Sequence, residues 1–321
     1  MAQSVGAVAH SGAMTTAPAT FSIPSEIENR EAGDFERALD GRPYVYSRCE
    51  CAVGLVPGKR PGTTRKHEPC KGTGWLRRLY SRITSYIDCL GDRTMLELWK
   101  RRMDLLGLRA DPALRARMWA ADPLDRKELN QIVELAFEAG DGYLKAHYGT
   151  SMHKLAEAWW RMEELPDHTD EQREDFRAYL ELLDRHDIRM VDTERRCVID
   201  ELKVAGTPDN SAWWNGQLVL VDLKTGNVDI DPGKIAMQLA IASRGQWYDA
   251  DTRMRYEMGV SRTVGLVIHV PKGTARATLY RADLTEGWRG IELARTVRSW
   301  RNESKVTLTE VLPTDRKLSY L

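Results

Sequence analysis

"GTPDNSAWWNGQLVLVDLKTG", Gly206 to Gly226, is the stretch on which the reading of this chain turns. Asn215-Gly216 is a strong signal for a two-residue type I′ hairpin, because both central residues of that turn need positive φ. A turn there pairs Trp214 with Gln217 and, stepping outward, Asp209 with Asp222. Directly opposed residues have Cβ atoms about 5 Å apart, and like charges so placed destabilise a sheet. Lys224 lies two residues beyond Asp222 and shares its face. The strand "QLVLVDL" is apolar on both faces apart from its acid, the pattern of a central strand covered on both sides. Carboxylates at the end of such a strand are costly unless a cation compensates them. Closely spaced oxygen ligands suit Mg2+ or Mn2+. The lysine can position a water or hold a phosphate oxygen. A lone Asp-x-Lys usually marks a surface ion pair; the turn register and the apolar flanks favour a metal site.

Outward from the hairpin the pattern is mixed α/β. "DIRMVDTERRCVIDELKVAGTPD" alternates with period two and reads as strands. "DPGKIAMQLAIASRGQWYDA" reads as a helix with Asp231 as N-cap and Pro232 in its first position. "TVGLVIHVP" and "ARATLYRAD" are two further strands, and "LTEGWRGIELARTVRSWRN" closes as a helix. Upstream, a helix is expected from Thr150 or Ser151 as N-cap, and another from about Gln172 to Arg185. Arg77 to Gly149 reads as helical, with apolar residues at three- and four-residue spacing. Trp159, Trp160, Trp213 and Trp214 occupy core-like positions. Helices and strands in this order predict helices packed on a central sheet.

Composition bounds the partners. The 321 residues carry 47 basic and 47 acidic side chains, so net charge is uninformative. From Arg42 to Arg82, ten basic residues stand against two acidic ones, a net +8. Such a segment suits contact with a phosphate backbone, and Trp75 and Tyr80 could stack on unpaired bases. No apolar run is long enough to span a membrane. The first basic residue is Arg30 and the cysteines number five, which predicts no signal peptide, a reducing environment and a cytoplasmic location, the host cytoplasm if the chain is phage-encoded. Residues 1–20 read as a disordered tail, 21–76 as a basic, loop-rich Cys/His segment, 77–148 as a helical region and 307–321 as a C-terminal tail. No Walker loop, dinucleotide fingerprint, Gly-x-Ser-x-Gly or His-Glu-x-x-His is present.

The chain resembles the PD-(D/E)XK nuclease superfamily, whose core is expected at residues 149–306. Pro208-Asp209 followed by Asp222-Leu223-Lys224 on an apolar strand is similar to that core. "GTSMHKLAE", "ERRCVIDELKVAGTPD", "VDLKTG" and "QLAIA" resemble, in order, motifs of the RecB-like exonuclease branch, to which CRISPR-associated and phage enzymes belong. The similarity covers about a hundred residues, Gly149 to Tyr248. It implies a restriction-endonuclease-like core with His153, Asp209, Asp222 and the Leu223 carbonyl as ligands of Mg2+ or Mn2+, and Lys224 as catalytic lysine. It implies that Glu194 is an active-site acid or second-metal ligand, and that Gln238 contacts DNA or orients the lysine. One departure is plain: the family's tyrosine four residues after Gln238 is Ala242, and Tyr248 lies too far along the helix to replace it.

Cys49-x-Cys51, fifteen residues, then His67-x-x-Cys70 offers four ligands for a structural Zn2+, against the alternative of a loop with unpaired thiols. Cys89 and Cys197 read as buried small apolar residues. One part of the RecB-like branch holds an iron–sulfur cluster on one upstream cysteine and three clustered after the core. No cysteine follows Cys197, so no iron–sulfur cluster is expected.

The expected function is a metal-dependent DNA exonuclease in replication, repair or recombination, acting on single- or double-stranded ends beside other recombination or replication proteins. The alternatives are a structure-specific or single-strand endonuclease on the same fold, and a non-catalytic nucleic-acid-binding subunit.

Overall fold

The computed structural model describes residues 35–49, 70, 73–304 and 308. The tail at 1–20, the ligand candidates Cys51 and His67, and nearly all of 307–321 lie outside the described residues.

Two five-stranded mixed sheets carry the fold. The larger has the strand order Thr278–Asp283 (β12), Val264–His269 (β11), Gln217–Lys224 (β8), Asn210–Trp214 (β7) and Arg189–Thr193 (β4). β8 is therefore the central strand, as its double-sided apolar pattern requires. It runs parallel to β11 and antiparallel to β7. The smaller sheet orders Arg255–Glu257 (β10), Gln246–Tyr248 (β9), Cys197–Ile199 (β5), Val204–Gly206 (β6) and Ser81–Arg82 (β3). A two-stranded ribbon, Tyr44–Arg48 (β1) with Trp75–Leu79 (β2), stands outside both.

The hairpin forms in the predicted register, Trp214 with Gln217 through to Asn210 with Val221. Asn215 and Gly216 have φ of 48° and 75°, both in the left-handed region the turn demands. Side chains alternate along β8. Val219, Val221 and Leu223 enter one core with the helices Leu144–Trp160 (α5) and Asp170–Arg185 (α6). Leu220 enters the other with Pro232–Ala242 (α7) and Leu284–Glu303 (α8). Gly287 of α8 permits that second layer to close, since a Cβ there would lie 2.5 Å from the Ala236 carbonyl of α7.

α7 starts as predicted. Asp231 caps it by accepting from the Lys234 N–H, and Pro232 follows as the first helical residue. It ends sooner than predicted. Gln246–Tyr248 is strand β9, paired with β5 and β10, so Tyr248 is not on this helix. Gly245 allows the descent: a Cβ there would lie 2.9 Å from the Val198 carbonyl.

α6 begins at Asp170 with a capping box between Thr169 and Gln172. α5 corrects the sequence reading. It runs unbroken from Leu144 through Gly149, and Thr150 is no cap; its hydroxyl donates to the Ala146 carbonyl one turn back. Neither helix-forming context nor packing stops the helix at Tyr148, whose ring is buried against α6.

The stretch from Arg77 opens as strand, in β2 and β3, and becomes helical at Ile83–Ile87 (α1). Thr94–Ala110 (α2), Pro112–Ala120 (α3) and Arg126–Ala139 (α4) then form a helical unit. α2 and α4 approach through glycines: a Cβ on Gly107 would lie 1.8 Å from the Ala136 carbonyl, and one on Gly140 2.1 Å from that of Met103.

Two tryptophans read as core-like are not. Trp159 and Trp213 are about half exposed, whereas Trp160 and Trp214 pack against the α5–α6 core. Cys197 is fully buried as expected, and Cys89 sits half-buried on a 3-10 turn. Among the described residues no helix is long and apolar enough to cross a membrane.

Candidate metal and active site

The site gathers where β8 ends. Asp209 sits one residue before β7, and its Oδ2 accepts from the Leu223 N–H at 2.9 Å. The carboxylate that the hairpin register set opposite Asp222 is thus anchored to the backbone of β8. Lys224 pairs with β11, its carbonyl accepting from the Val270 N–H. Strand residues point their N–H and C=O to the same edge, alternating along the chain. The Leu223 carbonyl therefore faces the same side as its N–H, toward Asp209.

His153 arrives from α5. Met152, Leu155 and Ala156 fix the helix on the sheet, which leaves Gly149, His153 and Glu157 on a neighbouring face at four-residue spacing. Gly149 lies close over the end of β8; a Cβ there would be 3.0 Å from Thr225 Oγ1. His153 Nδ1 stands 3.6 Å from Asp209 Oδ2.

Glu194 arrives from the turn after β4. Its φ of 49° is left-handed, uncommon for glutamate, and its N–H donates to the Asp209 carbonyl at 2.8 Å. Strain of this kind persists where surrounding structure enforces it, often at functional sites. The donor atoms of His153, Glu194 and Asp209 all lie within 4.8 Å of one another.

Asp222 is almost wholly buried and faces α7. Lys224 Nζ donates to its Oδ1 at 2.8 Å and lies 2.6 Å from Oδ2 without the angle of a hydrogen bond. Gln238 Nε2 donates to the same Oδ1 at 3.3 Å. Gln238 therefore orients the acid, and through it the lysine. A cleft of about 290 Å³ opens here, with Asp209, Asp222, Gln238, Arg37 and Arg82 in its lining. Sequence reasoning misses Arg37 and finds Arg82 only as a member of the basic segment.

Electrostatics make the site short of positive charge. Burial pushes the Glu194 carboxyl up to about 8, helped by the charges of Asp209 and Glu157 and opposed by Arg161. Asp222 is held above the usual carboxylate range by burial and then by Asp209, against the pull of Lys224. Lys224 pairs with Asp222, and among the described residues neither Asp209 nor Glu194 has a lysine or arginine ion-pair partner. The residues fit a divalent cation, and a donor set of one imidazole with carboxylates suits Mn2+ at least as well as Mg2+.

A pH dependence follows. Glu194 keeps its proton in the folded chain up to about pH 8 but loses it near 4.5 when unfolded. The folded state then binds more protons in that window, so this contribution to stability is complete below 4.5 and lost as pH rises toward 8. In EDTA, Tm should fall between pH 6 and pH 8, and Glu194→Gln should flatten the fall. Mn2+ competes with the same proton, so its affinity by calorimetry should rise over that interval. Equal pH slopes for wild type and Glu194→Gln would exclude Glu194 as the titrating group.

Of the four proposed zinc ligands, Cys49 and Cys70 are described. Both are buried in one small cluster with Leu76, so the chain does bring the first and last ligand positions together. Tyr80 does not stack at the surface. It is buried, donates to Asp200 Oδ1 at 2.7 Å, and its hydroxyl is pushed up to about 12 by burial and that acid.

No protein-family model matches the chain, and no curated protein matches it.

Proposed function

We propose that the chain is a divalent-cation-dependent nuclease with a restriction-endonuclease-like core of the PD-(D/E)XK kind, acting as a DNA exonuclease. The observation that carries this reading is the convergence at one strand end of His153, Glu194 and Asp209 with the Asp222–Lys224 pair, beside a cleft bearing two arginines. His153, Asp209, Asp222 and the Leu223 carbonyl, with Glu194 as a further carboxylate, would hold Mg2+ or Mn2+. A bound cation would supply Lewis acidity and a more acidic water.

The chain's own residues do the rest. The Leu223 N–H and the left-handed turn at Glu194 hold Asp209 and Glu194 in place. Gln238 fixes Asp222, which lines the cleft and holds the Lys224 ammonium beside it. There Lys224 stabilises the charge that grows on the phosphoryl oxygens in the transition state. Arg37 and Arg82 are placed to grip flanking phosphates.

The test is hydrolysis of end-labelled linear single- and double-stranded DNA with Mg2+ or Mn2+, beside a covalently closed single-stranded circle. Degradation of linear DNA alone is the expected result. Cutting of the circle would make the protein an endonuclease on the same fold. Binding without cutting in either metal would make it a non-catalytic nucleic-acid-binding subunit.

A further inference from the structure

The ribbon β1–β2 has two unlike faces. Its register sets Tyr44, Tyr46 and Arg48 across from Leu79, Arg77 and Trp75. The opposite face carries Val45, which is buried in a small core with Phe35, Tyr80 and Tyr248, and Leu76, which packs on Cys49 and Cys70. The ribbon is therefore fixed to the body through one face and leaves the aromatic–arginine face outward. On that face every ring carries a guanidinium. Arg77 lies 3.6 Å from the Tyr44 ring centroid and Arg48 5.7 Å from that of Trp75. Arg253, from the turn before β10, lies 4.2 Å from Tyr46 and 5.2 Å from Trp75. Among the described residues, Glu36 is the acid that meets this face, bonded to Arg77 and to the Tyr46 hydroxyl. Three arginines against that glutamate leave the described face cationic.

The root of the ribbon adjoins the cleft. Pro43, the residue before β1, lines the cleft that holds Asp209 and Asp222, and it bridges to Arg37 in the same lining. The Tyr46 N–H is tied to the body through the Tyr248 hydroxyl at 3.1 Å.

We infer that the outer face of the β1–β2 ribbon, whose root borders the cleft, is a stacking platform for single-stranded nucleic acid. Unpaired bases stack on the ring-backed guanidinium planes and on the ring surface left open beside them, and phosphates pair with the guanidiniums, without regard to sequence. A duplex hides its base faces and offers such a surface only its backbone. The inference deepens the nuclease reading and rests on it for the role of the bound strand, but the binding itself is measured without catalysis.

The experiment is fluorescence anisotropy of a labelled oligothymidylate and of a duplex of equal length, in EDTA, with the full chain. Trp75→Ala should weaken single-strand binding about ten- to a hundred-fold and leave duplex binding within about two-fold. Trp75→Phe should restore most of the loss. Arg77→Glu with Arg253→Glu, which leaves the ribbon's inner packing untouched, should weaken binding and lower the salt slope by about one for each phosphate no longer neutralised. Turnover of a small chromogenic phosphodiester should not change in any of these variants. Single-strand binding no tighter than duplex binding, or unaltered in the folded Trp75→Ala and double-arginine variants, would overturn the platform even if the protein cuts DNA. Variant-sensitive single-strand binding by a wild type that cleaves nothing would uphold the platform and sink the nuclease reading.

Discussion

Lys224→Ala should lower DNA hydrolysis by at least about a thousand-fold while the protein stays folded and still binds Mn2+. Removing one preorganised positive group aimed at transition-state charge costs on the order of 100- to 1,000-fold in known cases. Lys224 does a second job as well. It is the cation that compensates buried Asp222, contacting both carboxylate oxygens. Its loss therefore also disturbs the acid that Gln238 holds. Asp209→Asn should match or exceed the rate effect for a different reason. It keeps shape but removes the charge between His153 and Glu194, so Mn2+ affinity should fall as well. Calorimetry with Mn2+ separates the two: binding shifted but retained in Lys224→Ala, and strongly weakened in Asp209→Asn. A Lys224→Ala protein that cuts at the wild-type rate would remove the lysine from the chemistry.

The largest stability effect should come from a residue outside the site. Asp175 is completely buried on α6. It accepts from the Gly273 and Ala275 N–H groups, each at 2.6 Å, and from the Tyr148 hydroxyl. These bonds tie the loop before β12 to α5 and α6. The loop needs the tie, since Gly273 and Ala275 have φ of 70° and 49°. Beside that acid, burial and then the Asp175 bond push the Tyr148 hydroxyl well above its usual range. Asp175→Ala would leave two amide donors and a phenol without their shared buried acceptor, a cost of about 3 kcal/mol. The corresponding drop in Tm is about 10 °C. Asp175→Asn keeps one acceptor and should fall between the two. An Asp175→Ala protein with wild-type Tm would mean that water replaces the carboxylate.

What was legible in the sequence was legible because it is local. Asn215-Gly216 admits one turn type, that turn sets one register, and the register places Asp209 beside the end of β8. Asp231-Pro232 starts α7 by the same kind of short-range chemistry. Where tertiary contacts decide, the sequence reading failed. Nothing in "SRGQWYDA" says that the chain leaves the helix to pair with β5; the close approach of Gly245 to Val198 does. Thr150 looks like a cap until Tyr148 and Met152 are seen buried on α6, which carries the helix straight through.

The candidate site divides along the same line. Sequence alone nominated the residues proposed to carry the chemistry: His153, Glu194, Asp209, Asp222 and Lys224 stand in motifs whose spacing is readable without coordinates. Which of them meet was decided only by the fold. The helix face of α5 and the left-handed turn after β4 place His153 and Glu194 at Asp209, and the inward face of β8 gives Asp222 to Lys224 and Gln238. The physical reason is range. Turn and cap preferences act over a few residues, whereas this site joins groups more than forty residues apart, from His153 to Glu194, and only packed layers hold such groups together.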